Sequence, residues 1–221
     1  MKDKLIVMLT HHDVTVKNAK EVFESCKDLP VKNWGFKDVG LPSAEMKELC
    51  GLMKAAGKTT YLEVVTYTEA ECMRGAKLAV ECGFDILCGT IFYDSVAEYI
   101  KQHELKYCPF VGKVYGSPSV LEGTPASCLE QEAEYRAKGA YGIDLLGYRY
   151  SQGDPEAFSA EFIKGSKLPV VLAGSIDSPA RIEAVRKMNP WTFTMGSALF
   201  DKKFVPEGSF RDNLIKVVSL L

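Results

Sequence analysis

Short apolar runs and helix-spaced stretches alternate eight times along this chain, and that alternation constrains the fold more than any other feature. Lys4–Thr10 is a continuous apolar run of strand length, and Val14–Lys27 follows with Val16, Ala19, Val22 and Phe23 at helical spacing. Asn33–Val39, Thr59–Thr66, Phe84–Thr90, Pro109–Tyr115, Tyr141–Leu146, Val170–Ala173 and Trp191–Met195 read as seven further strands. Helical spacing separates them over Ala44–Ala56, Glu69–Glu81, Ser95–Glu104, Ser127–Lys138 and Ser178–Lys187, and Phe210–Leu220 closes the chain as an amphipathic helix. The boundaries carry chemical signals: Ser43 and Thr68 as N-caps, Gly83 as a stop, and Asp154-Pro155 opening the sixth helix as cap and first residue. Strands joined through helices must run parallel, and eight such units in 221 residues predict a closed (β/α)8 TIM barrel, one domain over 1–221. A doubly wound open sheet is the rival, disfavoured because no GxGxxG follows the first strand.

Composition narrows the function. Hydrophobic residues make up 47% of the chain, enough for a large core, and the formal net charge of −2 offers no basic excess for nucleic acid. No apolar run approaches the length of a membrane span, and Met1-Lys2-Asp3-Lys4 leads directly into a strand without a signal-peptide pattern. Seven cysteines without CxxC spacing read as reduced thiols. A cytoplasmic protein is expected, a monomer or small homo-oligomer whose partner is a small molecule.

The segment Leu168–Phe204 carries the binding chemistry. Two strands there run into small-residue turns, Gly174-Ser175 and Gly196-Ser197, on either side of a helix. Glycine lets backbone N–H groups approach an anion closely, and a helix N-terminus adds its positive dipole end, so two such turns on neighbouring strands make a phosphate cup. At Ala173-Gly174-Ser175-Ile176 and Met195–Phe204 the chain resembles the ribulose-phosphate-binding (β/α)8 barrels, in particular the sugar-phosphate isomerases of histidine and tryptophan biosynthesis. The resemblance implies Gly174, Ser175, Gly196 and Ser197 as phosphate-binding residues. It stops short of the catalytic aspartates of the histidine-pathway isomerase, because the ends of strands one and five carry Leu9-Thr10-His11-His12-Asp13 and Lys113 here.

In such a barrel the active site lies at the carboxyl ends of the strands, and strand parity sorts the side chains. With Trp34 and Phe36 toward the helices, Lys37 points inward; with Leu62 and Val64 outward, Glu63 points inward with Tyr61. Lys37 and Glu63 then pair if their strands are neighbours. Lys113 is a second lysine inside an apolar strand. A charge in a strand interior is costly unless paired, so these three are either a structural salt bridge or an acid/base set. In the latter, Glu63 accepts a proton and Lys37 or Lys113 stabilises an enolate oxygen or forms a Schiff base. His11 and Asp13 lie in a site-facing loop, although Asp13 could instead cap the first helix. Arg149, between Tyr148 and Tyr150, either clamps a second anionic group or stacks at the surface. Asp38 points away from Lys37, Asp144 sits deep in its strand, Cys88 reads as an inert buried thiol, and His103 as a solvated residue. No HxH or HExxH spacing suggests a metal, and no cofactor is expected.

These features predict an enzyme of isomerase or epimerase type on a small phosphorylated sugar or related carbonyl compound. A Schiff-base aldolase using Lys37 or Lys113 is the second reading, weakened by the lack of a lysine on strand six. A non-catalytic phosphometabolite-binding protein is the third.

Overall fold

The computed structural model describes residues 1–221. Eight parallel strands form the expected TIM barrel: β1 (Leu5–Met8), β2 (Asn33–Lys37), β3 (Thr59–Val64), β4 (Ile86–Gly89), β5 (Lys106–Cys108), β6 (Ile143–Leu145), β7 (Val170–Leu172) and β8 (Thr192–Met195). The ladder runs from β6 through β7 and β8 to β1, and on to β5 in chain order. The remaining seam closes where Asp144 N donates to Pro109 O at 2.9 Å and Phe110 pairs in parallel with Asp144. The helices are α1 (Ala19–Cys26), α2 (Ser43–Ala55), α3 (Glu69–Cys82), α4 (Asp94–Gln102), α5 (Pro125–Ala137), α6 (Pro155–Gly165), α7 (Pro179–Met188), the short α8 (Ser197–Phe200) and α9 (Phe210–Leu220).

Strand alternation produces two apolar layers. Outward-facing residues such as Leu5, Trp34, Phe36, Leu62, Ile143 and Leu145 join the helices in the main core. A smaller set, Ile6, Met8, Tyr61, Ile86, Cys88, Cys108 and Val171, fills the barrel itself. All seven cysteines are buried and unpaired. No helix is long and apolar enough to cross a membrane.

Two hairpins depart from the expected pattern. Val14-Thr15 does not begin the first helix but pairs antiparallel with Thr10-His11, and α1 starts only at Ala19. Strand five is Lys106–Cys108 rather than Pro109–Tyr115. Gly112, with φ +77°, turns the chain out of the barrel, so Lys113–Tyr115 pairs antiparallel with Val120–Glu122 above the rim. A strand in a hairpin and a strand in a barrel share one periodicity, so the apolar pattern could not separate them.

The last turn of the barrel depends on one buried amide. Asn213 Oδ1 accepts from the backbone N–H groups of Phe204 (3.0 Å) and Val205 (2.9 Å), and its Nδ2 donates to Val205 O (3.0 Å) and Ser209 O (2.9 Å). It thereby fixes the segment that carries Lys203 away from β8. Asn213→Ala leaves these backbone groups unsatisfied in a site with no solvent exposure, and should lower the unfolding free energy by about 2–4 kcal/mol in a urea titration. A loss below about 0.5 kcal/mol would show that the loop repacks without its tether.

Candidate active site at the carboxyl ends of the strands

A cavity of about 150 Å³ opens at the carboxyl ends of the strands, lined by both glycine turns, Lys37, Glu63, Asp13 and Arg149, together with Thr10, Asp177, Thr194, Asp201 and Lys203. Lys37, the last residue of β2, lies opposite Glu63 of β3 in the ladder. The Lys37 ammonium is 2.8 Å from Asp13 Oδ1 and 3.8 Å from Glu63 Oε1. Burial opposes its charge, but Glu63 and the hydrogen-bonded Asp13 outweigh burial and raise its pKa above the ordinary lysine value. Lys37 is therefore an ammonium at neutral pH, a hydrogen-bond donor and an electrostatic clamp.

Asp13 reaches Lys37 through an unusual turn. His12 and Asp13 occupy the two central positions of the first hairpin with φ of +48° and +63°. Hairpin turns of this kind favour Asn-Gly, and a β-carbon in the left-handed region costs on the order of 1 kcal/mol or more. Thr15 secures the hairpin, its hydroxyl donating to Lys37 O (2.8 Å) and accepting from Lys37 N (3.0 Å). Asp13 does not cap a helix; its carboxylate points at Lys37, with Arg149 Nη2 3.8 Å from the other oxygen. Burial pushes the Asp13 carboxyl up, but the Lys37 hydrogen bond and charge, with Arg149 and His12, hold it below the ordinary carboxylate value.

The cup is built without side-chain space to spare. A β-carbon on Gly196 would lie 2.8 Å from Thr10 O, and Gly174 turns at φ +112° against Tyr148. Arg181 braces the turn after β7 by donating to Ser175 O and to Asp177 Oδ1 (3.2 Å), with its guanidinium over the Tyr148 ring. Ser197 accepts from His12 N at 3.2 Å, which ties the cup to the first hairpin.

Other expected residues lie elsewhere. Lys113 is on the rim hairpin, 73% exposed and paired to Glu122 at 3.2 Å, so it faces solvent instead of the barrel centre. His11 does not line the cavity; its Nε2 bonds Asp201 Oδ1 at 2.9 Å while the ring packs on His12 and Phe200. Tyr148 lies under Arg181 and Tyr150 stacks on Phe158, so neither tyrosine sandwiches Arg149. His11, His12 and Asp201 place one ligand atom each within 4.8 Å of one another, a grouping the spacing of the chain did not suggest. Asp177, Asp201 and Lys203 were also missed. The signal available for Lys203 was its place in Asp201-Lys202-Lys203, directly beyond the second glycine turn.

No family model matches the chain, and no curated protein matches it. Solved structures do. The tryptophan synthase alpha chain from Legionella pneumophila superposes with a TM-score of 0.69 at 13% identity, over 99% of this chain and 91% of that one. A native KDPGal structure gives 0.67 at 12% identity, covering 100% of this chain and 93% of that one. N-acetylmannosamine-6-phosphate 2-epimerase from Clostridium perfringens gives 0.66 at 12% identity, over 91% of each chain. At such identities the likeness establishes the TIM-barrel fold.

Removing the ammonium exposes how the cluster is balanced. Lys37→Met leaves Glu63 without its neighbouring cation and should cost about 3 kcal/mol or more of stability at pH 7. The pH dependence follows from direction. Asp13 is lowered, so its contribution is present above its ordinary value of 3.8 and lost as pH falls through the folded-state value. Lys37 is raised, so its contribution holds below its ordinary value of 10.5 and disappears as pH rises through the folded-state value. The gap in melting temperature between wild type and Lys37→Met should therefore be widest between these limits and narrow on either side. A gap that stays constant from pH 3 to pH 11 would contradict the ion-pair description.

Proposed function

We propose that the protein is an enzyme acting on a small phosphorylated sugar or related carbonyl metabolite by proton transfer at carbon, an isomerase or epimerase. The observation that carries this reading is that both glycine turns and the Lys37–Glu63–Asp13 cluster line one cavity. In this reading the turns hold the phosphate with their backbone N–H groups, and Lys203 adds positive charge beside them. The rest of the ligand then extends toward Lys37 and Glu63.

The chemistry follows from the charge states. Glu63 accepts a proton from the carbon next to the substrate carbonyl, and the C–H electron pair moves onto the carbonyl oxygen as an enolate. The Lys37 ammonium donates to that oxygen, stabilising charge where it develops. In an isomerisation the proton of the adjacent hydroxyl passes to the enolate oxygen beside the Lys37 ammonium, and Glu63 returns its proton to the former carbonyl carbon; in an epimerisation the enolate turns its opposite face to Glu63 before the same carbon is reprotonated. Asp13 keeps Lys37 charged and aimed, and Arg149 holds a further anionic or hydroxyl group at the mouth. A Schiff base requires a neutral amine, which the raised pKa of Lys37 opposes, and Lys113 lies outside the cavity. The likeness to an epimerase of N-acetylmannosamine-6-phosphate accords with this reading.

The test uses thermal shift against a panel of sugar phosphates and their dephosphorylated counterparts. A ligand at a hundredfold excess over Kd contributes about 2.7 kcal/mol, so phosphorylated compounds alone should raise the melting temperature. Ser197→Asp keeps an acceptor for His12 N and places a negative charge in the cup; it should abolish the shift. The best ligand should exchange a carbon-bound hydrogen with deuterated solvent in wild type and at least about 100-fold more slowly in Glu63→Gln. Equal stabilisation by phosphorylated and unphosphorylated compounds, or exchange unaffected by Glu63→Gln, would defeat the proposal.

A further inference from the structure

Asp144 is the one buried charged side chain of the barrel centre that the proposed chemistry leaves unused. It is the middle residue of β6, flanked by Ile143 and Leu145 in the outer core, so alternation aims its carboxyl into the barrel. Only 1% of it is exposed, and its Oδ1 is buried without a hydrogen-bond partner. Beside it is a small cavity of about 10 Å³, lined by Ile6, Met8, Tyr61, Glu63, Cys88 and Thr194 together with Asp144. That is the space of about one water molecule.

Glu63 connects this cavity to the site. It lines both the open cavity above and the small one below, and no other acid, base or thiol lines both. Asp144 lines only the lower one. Glu63 is therefore the titratable group between Asp144 and a ligand in the open cavity. The charges also limit what Asp144 can be. Lys37 already faces Glu63 and Asp13, and a further carboxylate below them would be buried with no cation of its own.

We propose that Glu63 and Asp144 form a buried carboxyl pair holding one proton between them, with Asp144 as its resting holder and a positioning residue for Glu63. The neutral Asp144 carboxyl donates toward the Glu63 carboxylate, directly or through one water in the small cavity. When Glu63 takes a proton from a ligand carbon, the pair carries two protons and no charge; when it gives that proton back, the pair returns to one proton and one negative charge. No oxidant or second reactant is needed. Burial and the Glu63 charge raise the Asp144 carboxyl well above the ordinary value, with Lys37 opposing them, which agrees with a neutral Asp144. The groups facing Asp144 are Lys37 from β2, Tyr61 and Glu63 from β3, Cys88 from β4 and the Thr194 hydroxyl from β8, with Cys108 of β5 beside Cys88. Burial pushes the phenol of Tyr61 up, and hydrogen bonding with Cys108, aided by burial, pushes the thiol of Cys88 up, so neither competes for the charge at neutral pH.

The catalytic part of this role rests on the reading of Glu63 as the base, but the protonation state can be measured without a substrate. Infrared spectra of the full chain, recorded against pH, should show a protonated carboxylic acid at pH 7 that is absent from Asp144→Asn. In Glu63→Gln the like charge is gone, and the titration midpoint of that band should fall by about one pH unit or more. Asn is the isostere of a neutral Asp and should fold. A raised Asp pKa means stability is lost as pH rises from 3.8 toward the folded-state value, so Asp144→Asn should gain melting temperature over wild type as pH rises. No carboxylic acid band at pH 7, or a midpoint unmoved by Glu63→Gln, would overturn the pair. A failed ligand screen with the band and its shift intact would instead sink the enzyme reading and leave the pair standing.

Discussion

The arrangement at the barrel centre depends on a single ammonium. Lys37 is only 7% exposed, yet it carries a charge that two carboxylates, Asp13 and Glu63, converge upon. A buried ion pair is a poor source of stability, since desolvation takes back most of the Coulomb gain. What it supplies is geometry. With Lys37 charged, Glu63 is held as its neighbour at the end of β3, Asp13 is drawn down from the first hairpin, and Asp144 beneath them is left without a cation. Each consequence follows from satisfying one positive charge inside a shell of apolar strands.

The first hairpin transmits that constraint to the cup. Its turn residues His12 and Asp13 sit in left-handed backbone that side chains disfavour, and Thr15 binds the hairpin to both backbone polar groups of Lys37. On the other side, His12 N bonds Ser197, and Gly196 packs so closely on Thr10 O that no side chain fits. The Lys37–Glu63–Asp13 cluster and the second glycine turn are therefore two sides of one short segment. Strain of a kilocalorie or so per residue persists where surrounding contacts over-determine it, and such places cluster at functional sites.

The regular parts of this structure were legible in the sequence because they obey simple periods. Alternation of apolar runs and helical stretches yields the barrel, and parity alone places Lys37 and Glu63 inward on neighbouring strands. Asp144 read only as a residue deep in its strand, because the groups around it come from β2 and β3, distant in the chain, and meet it only when the barrel closes. Lys113 misled for a local reason: Gly112 turns the chain out of the barrel one residue before it, and an outward hairpin preserves the apolar alternation of a barrel strand. The hairpin at Asp13 lacked the Asn-Gly signal such turns usually carry, because His and Asp occupy its strained positions. Asp201 and Lys203 joined the cavity through α8 and the segment tethered by Asn213, contacts no local pattern encodes.

A ligand seen in place decides whether the cup and the Lys37–Glu63–Asp13 cluster serve one molecule. The measurement is a crystal structure with the sugar phosphate that most stabilises the protein. The phosphate is expected between Gly174-Ser175 and Gly196-Ser197, with the carbonyl or hydroxyl end of the ligand against Lys37 and Glu63. A phosphate bound away from both turns, or a ligand whose carbon chain runs out to solvent instead of down to Lys37, would contradict it.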